Sequence, residues 1–268
     1  MHGDDDIQRD QWTGLVAGHR SDVADVSLVL IAQYGCQWTT GVFSGVGDDG
    51  NTYYIKPVEN GRAPVVPVTE HIIARVGSAL GAPVCPSLRM AVSEDFDGEY
   101  FTDQDVLRPG LAHASLEIVA VEESREMRFA RRDDNVRRHM WIRIMWDLCF
   151  GSDPQWLVCG AEDRAYYSCD HEQFLPPAGT ERWDEDSLIT SLHEPHRLEG
   201  DFTLESIVLF PEVLESLRRL DRTTLTGIMR GVPKSWPVSD RHLETAGHFL
   251  ETRARRIEFE IQERLRGL

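Results

Sequence analysis

The spacing of hydrophobic and polar residues changes character once along the chain. Val26–Tyr34, Thr39–Val46 and Asn51–Val58 are rich in β-branched and aromatic residues, the composition of half-buried strands. The stretch "GDDG" (Gly47–Gly50) separates the last two and reads as a hairpin turn. Three antiparallel strands are therefore predicted. Ile72, Ile73, Val76 and Leu80 then recur at helical spacing, which predicts a helix over Val68–Leu80 with Thr69 as its cap and Gly81 as its stop. Ser87–Val92 reads as a strand and Ser93–Asp105 as a polar loop. Leu107–Val121 holds a Pro-Gly break and then an apolar strand-like piece, and the connection between two lobes is expected there.

Beyond this point the period becomes helical. In Asn135–Phe150, Val136, Met140, Ile144 and Leu148 recur every fourth residue, with Asp133 or Asp134 placed to cap. Pro211–Leu220, Thr223–Val232 and Asp240–Leu268 add further helices. In the last of these, Leu243, Ala246, Phe249 and Leu250 share a face that suits core packing rather than membrane contact. The first twenty or so residues show no period and are expected to form a partly ordered lead-in. A sheet with one helix, then mostly helices with one inserted hairpin, predicts an α+β fold in two lobes, the first β-rich and the second helical.

The 268 residues suffice for one large domain or two coupled lobes. No apolar run approaches the roughly 20 residues of a membrane helix, and the acidic N-terminus lacks the apolar segment of a signal peptide. Membrane association is therefore not expected. The net charge of −17 repels a phosphate backbone, which argues against general nucleic-acid binding. The run Arg125–Arg143, with seven arginines, is the local exception. A solvated face paired with acids such as Asp133 and Asp134 is favoured there over a dock for an acidic partner. Cys36, Cys85, Cys149, Cys159 and Cys169 form no Cys-x-x-Cys pair and suit buried thiols in a reducing cytosol. The scattered histidines, His193 and His196 included, lack metal-ligand spacing, and Ser152 reads as a turn residue.

Candidate chemistry gathers in "GSDPQWLVCGAEDRAYYSCDHEQF" (Gly151–Phe174). If Trp156–Cys159 pairs with Ala165–Cys169 around a four-residue loop, Ala161–Arg164, then Val158 faces Tyr167, Trp156 faces Cys169 and Gln155 faces Asp170. Opposed Cα atoms in such a ladder lie roughly 4.5–5.5 Å apart. Asp153, two residues upstream, joins Gln155 and Asp170 at one mouth. Close carboxylates repel unless a cation or donors intervene. Two carboxylates with a carboxamide suit a hard cation such as magnesium, and a remaining carboxylate can accept a hydroxyl proton. Strand-end caps and turn formers are the plainer alternative, and spacing alone does not decide between them. Elsewhere, Lys56 sits in an otherwise apolar strand, where a buried ammonium needs a partner. Glu70, early in the next helix, is within reach, although a snorkelling surface lysine fits the same pattern. The glycines at Gly41, Gly45 and Gly47 could cover phosphates with backbone N–H groups, with Thr39 and Thr40 adding hydroxyls. Their spacing is not G-x-G-x-x-G.

Taken together, "TYYIKP", "LGAPVCPSLRM", "LRPGLAHASLEI", "DDNVRRHMWIRIMWDLCFGSDPQWLV" and "YYSCDHEQFLPP" resemble the HipA-like kinase family, in its compact branch, over about Gly35–Leu188. That resemblance implies a single domain of protein-kinase-like fold, with an N-lobe over about 21–108 and a C-lobe over about 109–268. It implies ATP and magnesium in the cleft between them, and transfer of the γ-phosphate to a serine or threonine hydroxyl of a protein or peptide in the cytoplasm. Carried over by position, Asp153 is the expected catalytic aspartate, and Gln155 and Asp170 the metal ligands. Lys56, partnered by Glu70, is expected on the phosphates. The expected nucleotide-binding set also includes Thr39, Thr40, Gly41 and His113, the last within Leu111–Ser115 near the adenine hinge. Three features depart from the family pattern, the first being the weakly matched glycine loop. Asp153 and Gln155 are only two residues apart, and Asp170 is followed by His171-Glu172 rather than His-Gly. A small-molecule acceptor and a nucleotide-binding pseudokinase remain the alternatives.

Overall fold

The computed structural model describes residues 8–33, 41–58, 64–102, 105–180, 182–198 and 203–267. The three predicted strands are β1 (Val26–Gln33), β2 (Phe43–Gly47) and β3 (Thr52–Lys56), each antiparallel to the next. They close into a barrel with β4 (Ser87–Val92) and β5 (Gly110–Leu116), in the order β1-β2-β3-β5-β4. The barrel is filled from the alternating inward positions of each strand, among them Leu28, Phe43, Ile55, Met90 and Ala114. Phe101, within the loop predicted to be polar, is fully buried and packs on Phe43 at 5.4 Å between ring centroids.

Helix α1 (Val66–Leu80) lies between β3 and β4 in sequence. Gly81 ends it in the left-handed conformation (φ 88°), as predicted. Thr69 is not its cap. The helix starts three residues earlier, at Val66, and the Thr69 hydroxyl donates to the Val65 carbonyl one turn back.

The chain leaves the barrel only after Leu116, through Glu117–Val119, so a division near 108/109 falls ahead of a barrel strand. The Pro-Gly pair suggested the connection, yet β5 follows it with Ala112 and Ala114 turned into the barrel core. A second antiparallel sheet follows, β6 (Ala120–Ser124), β7 (Trp156–Cys159) and β8 (Ala165–Ser168), in that order. Between β6 and β7 runs α2 (Asn135–Leu148). Met140, Ile144 and Leu148 are buried as the periodicity predicts, but so are Trp141, Ile142, Met145 and Trp146, because α2 is the central helix of the lobe. Neither Asp133 nor Asp134 caps it. Asp133 has φ 41° and Asp134 lacks the extended backbone that aims a capping side chain at the helix, so Asp133 pairs with Arg138 instead.

The helical lobe is completed by α3 (Glu185–Thr190), α4 (Leu204–Ile207), α5 (Phe210–Arg219), α6 (Arg222–Gly231) and α7 (Asp240–Arg266). Among the described residues no helix is long and apolar enough to cross a membrane.

The described part of the lead-in packs against the helical lobe, which the sequence does not indicate. Trp12 and Val16 are fully buried, and Trp12 Nε1 donates to Glu251 of α7 at 2.8 Å. A lone tryptophan offers no periodicity, so the sequence carried no signal for this clamp. The indole packs against Gly247, where any Cβ would run into the ring. Gly247→Ala is expected to destabilise the protein by about 1–3 kcal/mol through overpacking, measured as a lowered midpoint in denaturant titration.

Candidate active site

Lys56 ends β3 on its buried side and is 8% exposed. Its ammonium donates to Glu70 Oε1 of α1 at 2.6 Å, to Asp170 Oδ1 at 2.6 Å and to Glu172 Oε2 at 3.2 Å. Oxygens of these three carboxylates lie within 4.8 Å of one another. Burial works against the charged ammonium, but Asp170, Glu70 and Glu172 outweigh it and hold the Lys56 pKa well above its ordinary value. Burial likewise opposes ionisation of Glu70, yet Lys56 and then His171 pull its carboxyl well below the usual range. One ammonium against three carboxylates leaves a formal excess of two negative charges in a shielded place.

Asp170 reaches this cluster because the chain turns sharply as it leaves β8. The residue has φ 54°, a left-handed conformation that aspartate tolerates better than most residues. The hairpin register is one residue from that predicted. Trp156 pairs with Ser168, Val158 with Tyr166 and Cys159 with Ala165, so Gln155 faces Cys169 rather than Asp170. The turn between them has five residues, with Asp163 and Arg164 both at positive φ, and this extra residue shifts the ladder.

Asp153 follows α2. Buried Arg253 of α7 donates to the carbonyls of Asp147 and Leu148, which satisfies the end of that helix and fixes where the next loop begins. Ser152 acts as the predicted turn residue, accepting from Gly179 N–H and donating to the Gln173 carbonyl. Gln155 links the two aspartates. Its side-chain amide donates to Asp153 Oδ2 at 3.0 Å, and its carbonyl accepts from the N–H of Cys169, next to Asp170. Arg125 pairs with the outer edge of Asp153.

A cleft of about 400 Å³ lies between the barrel and the second sheet; Asp153 is not among its lining residues and connects to it through Gln155. Lys56, Glu70, Gln155, Asp170 and His113 line it, with Val42, Ile118, Val119 and Leu157 among the apolar walls. Gly41 immediately precedes Val42, and Thr39 and Thr40 lie outside the described residues. Leu111–Ser115 is part of barrel strand β5, and Glu117–Ala120, which directly follows that strand, runs along the cleft. His113 stands opposite Lys56 in the β3–β5 pair, and burial pushes its imidazole down to about 4. At neutral pH it is uncharged, bonded to Ser115 at 3.0 Å.

Two residues of the site, Glu123 and Arg125, escape sequence reasoning, and two others, His171 and Glu172, stand out in the sequence only as a departure from the family pattern. Glu172 and His171 follow Asp170, but only the turn geometry brings Glu172 to Lys56 and His171 Nδ1 to within 3.5 Å of Glu70. Glu123, on β6, faces the same opening. Burial and then Asp170 raise its pKa. Arg125 had no signal beyond its membership in the arginine run. Cys85 and Cys169 also line the cleft, and burial raises both thiols, Cys85 to about 12, so both remain protonated.

No protein-family model matches the sequence, and no curated protein is detectably similar to it. Among solved structures, a Helicobacter pylori proinflammatory kinase, CtkA, is similar with a TM-score of 0.55 at 10% identity, over 91% of this chain and 97% of that one. The Golgi casein kinase with Mn/ADP bound gives 0.45 at 11% identity, over 95% of this chain and 76% of that one, a likeness too low to bear on the fold. A five-stranded barrel with one packed helix, a cleft, and a helical lobe carrying a three-stranded sheet, matched over almost the full length of both chains by CtkA, make this an α+β, two-lobed protein-kinase-like fold.

Proposed function

We propose that the protein is a HipA-like phosphotransferase that moves the γ-phosphoryl group of ATP to a serine or threonine hydroxyl of a protein or peptide. The observation that supports this most is the Lys56 ammonium, held by Glu70 of α1 and by Asp170 behind β8 at the wall of the interlobe cleft. A strand lysine paired with a helix glutamate is the arrangement that protein kinases use on nucleotide phosphates.

Ile118, Val119 and Ala120 give the adenine an apolar edge with backbone groups beside it. Lys56 exchanges one carboxylate for phosphate oxygens, with Glu70 retained to fix its direction. The hard carboxylate oxygens of Asp170 and Glu172, clustered with Glu70 and with two negative charges in excess over Lys56, fit a divalent cation and would hold magnesium, with the Gln155 carboxamide assigned as a further ligand. When bound with the nucleotide, the ion supplies charge neutralisation on the phosphates. Asp153, hydrogen-bonded to the cleft-lining Gln155, is assigned the role of orienting the acceptor hydroxyl. The acceptor oxygen bonds to the γ-phosphorus, the bond from that phosphorus to the β,γ-bridging oxygen breaks, ADP departs, and the hydroxyl proton passes to Asp153.

Titration calorimetry of ATP with magnesium and with a chelator tests the first half of this reading, and transfer of labelled γ-phosphate to mixed peptides tests the second. Magnesium-dependent binding with labelled peptide is expected. Absence of nucleotide binding would overturn the proposal. Turnover of ATP without labelled peptide would move the acceptor to a small molecule, and binding without turnover would indicate a pseudokinase.

A further inference from the structure

The arginine run is neutralised largely by its own neighbours. Arg128 pairs with Glu122 at 3.0 Å, Arg132 with Asp163 at 3.6 Å and Arg138 with Asp133 at 2.8 Å. Arg125 differs. Among the described residues its hydrogen bonds go to Asp153, the proposed base, with Nη1 on Oδ1 and Nη2 on Oδ2 at 3.5 Å. Gln155 already donates to Oδ2. Both oxygens of Asp153 thus accept hydrogen bonds, and the Arg125 guanidinium competes with an acceptor hydroxyl for the more exposed side of that carboxylate.

Gln155 is 8% exposed and its backbone is tied to Cys169, so it stays. The Arg125 side chain is 66% exposed and the Asp153 side chain 26% exposed. A pair this open contributes little to stability and separates readily. Once displaced, the guanidinium remains tethered next to the acceptor site and needs another anion. A carboxylate on the acceptor makes the exchange one of like for like, whereas a basic side chain there meets an unpaired arginine.

We infer that Arg125 is a specificity residue that selects peptides carrying an acidic side chain beside the serine or threonine. This rests on the phosphotransferase reading and narrows its substrate class. The probe is a set of three peptides identical except for glutamate, alanine or lysine flanking a single serine. The wild-type protein is expected to favour the glutamate peptide over the lysine peptide in kcat/KM by about 2- to 10-fold, the worth of one exposed charge pair gained against one like-charge contact. Most of this difference should lie in KM. Arg125→Lys is expected to keep the preference in reduced form, and Arg125→Glu to invert it, a change of sign that a merely structural role would not produce.

Equal labelling of all three peptides by the wild type, or an unchanged glutamate preference in Arg125→Glu, overturns this inference and leaves the phosphotransferase reading standing. Labelling of no peptide by a chain that binds ATP and magnesium overturns the peptide-acceptor reading and this inference with it.

Discussion

Asp153→Asn is expected to lower phosphoryl transfer by roughly 10²- to 10⁴-fold, the usual contribution of a positioned general base, with magnesium-dependent ATP binding retained. The physical reasons are local. Asp153 is at φ 54°, and asparagine is the other residue that tolerates this backbone, so the loop keeps its course. Gln155 can still donate to the remaining carbonyl oxygen. The lost ion pair with Arg125 is exposed and costs only about 0–1 kcal/mol. The variant should therefore melt close to the wild type, and a loss of transfer would report chemistry rather than unfolding. Calorimetry, a melting curve and a labelled-phosphate assay on the same preparation make the check. Transfer at the wild-type rate would remove Asp153 from the proposed role.

Lys56→Met is expected to abolish detectable ATP binding and to destabilise the fold by about 3–5 kcal/mol, because it leaves Glu70, Asp170 and Glu172 clustered without their cation. The pH dependence is the more specific signature. In the wild type the depressed Glu70 carboxyl contributes stability that is complete above the unfolded value and lost as pH falls through the folded one. The raised Lys56 ammonium contributes stability that is complete below its unfolded value and lost as pH rises through the folded one. Neither window touches pH 5–7, so this cluster leaves wild-type stability flat there. Without the lysine, mutual repulsion raises the carboxyl pKa values above their unfolded ones. Their stabilising effect is then complete only below the unfolded value and is lost as pH rises. Relative to the wild type, the variant should gain stability from pH 7 to pH 5, as read from denaturant midpoints of both at each pH; buried His113, whose folded value of about 4 lies below its unfolded one, costs stability in both as pH falls. A variant profile parallel to that of the wild type would mean that the three carboxylates are not coupled through Lys56.

Much of the barrel was legible because strand and turn chemistry is local. β-branched runs, the "GDDG" turn and a glycine at the end of α1 act within a few residues of themselves. The pairing of Lys56 with Glu70 was legible for a related reason. A lysine in an apolar strand must find a counter-charge, and the following helix supplies one fourteen residues on. The hairpin was legible as a hairpin but not in its register. Two backbone residues at positive φ in its turn, Asp163 and Arg164, decided a one-residue slip that composition does not encode. The sequence places the lobe connection within Leu107–Val121, a range that contains Glu117–Val119, but its point within that range depends on which strands close the barrel, which a Pro-Gly pair does not encode.

By itself, then, the amino-acid order determined the element types, the two-lobed α+β division and the residues able to carry charge, since these follow from periodicity and from the cost of burying an ion alone. Only the tertiary structure decided who meets whom: Trp12 on Gly247, Glu172 and Asp170 around one ammonium, Arg125 over Asp153. Those contacts join residues far apart in the chain, and their geometry is set by barrel closure and helix packing, which no short window of sequence contains.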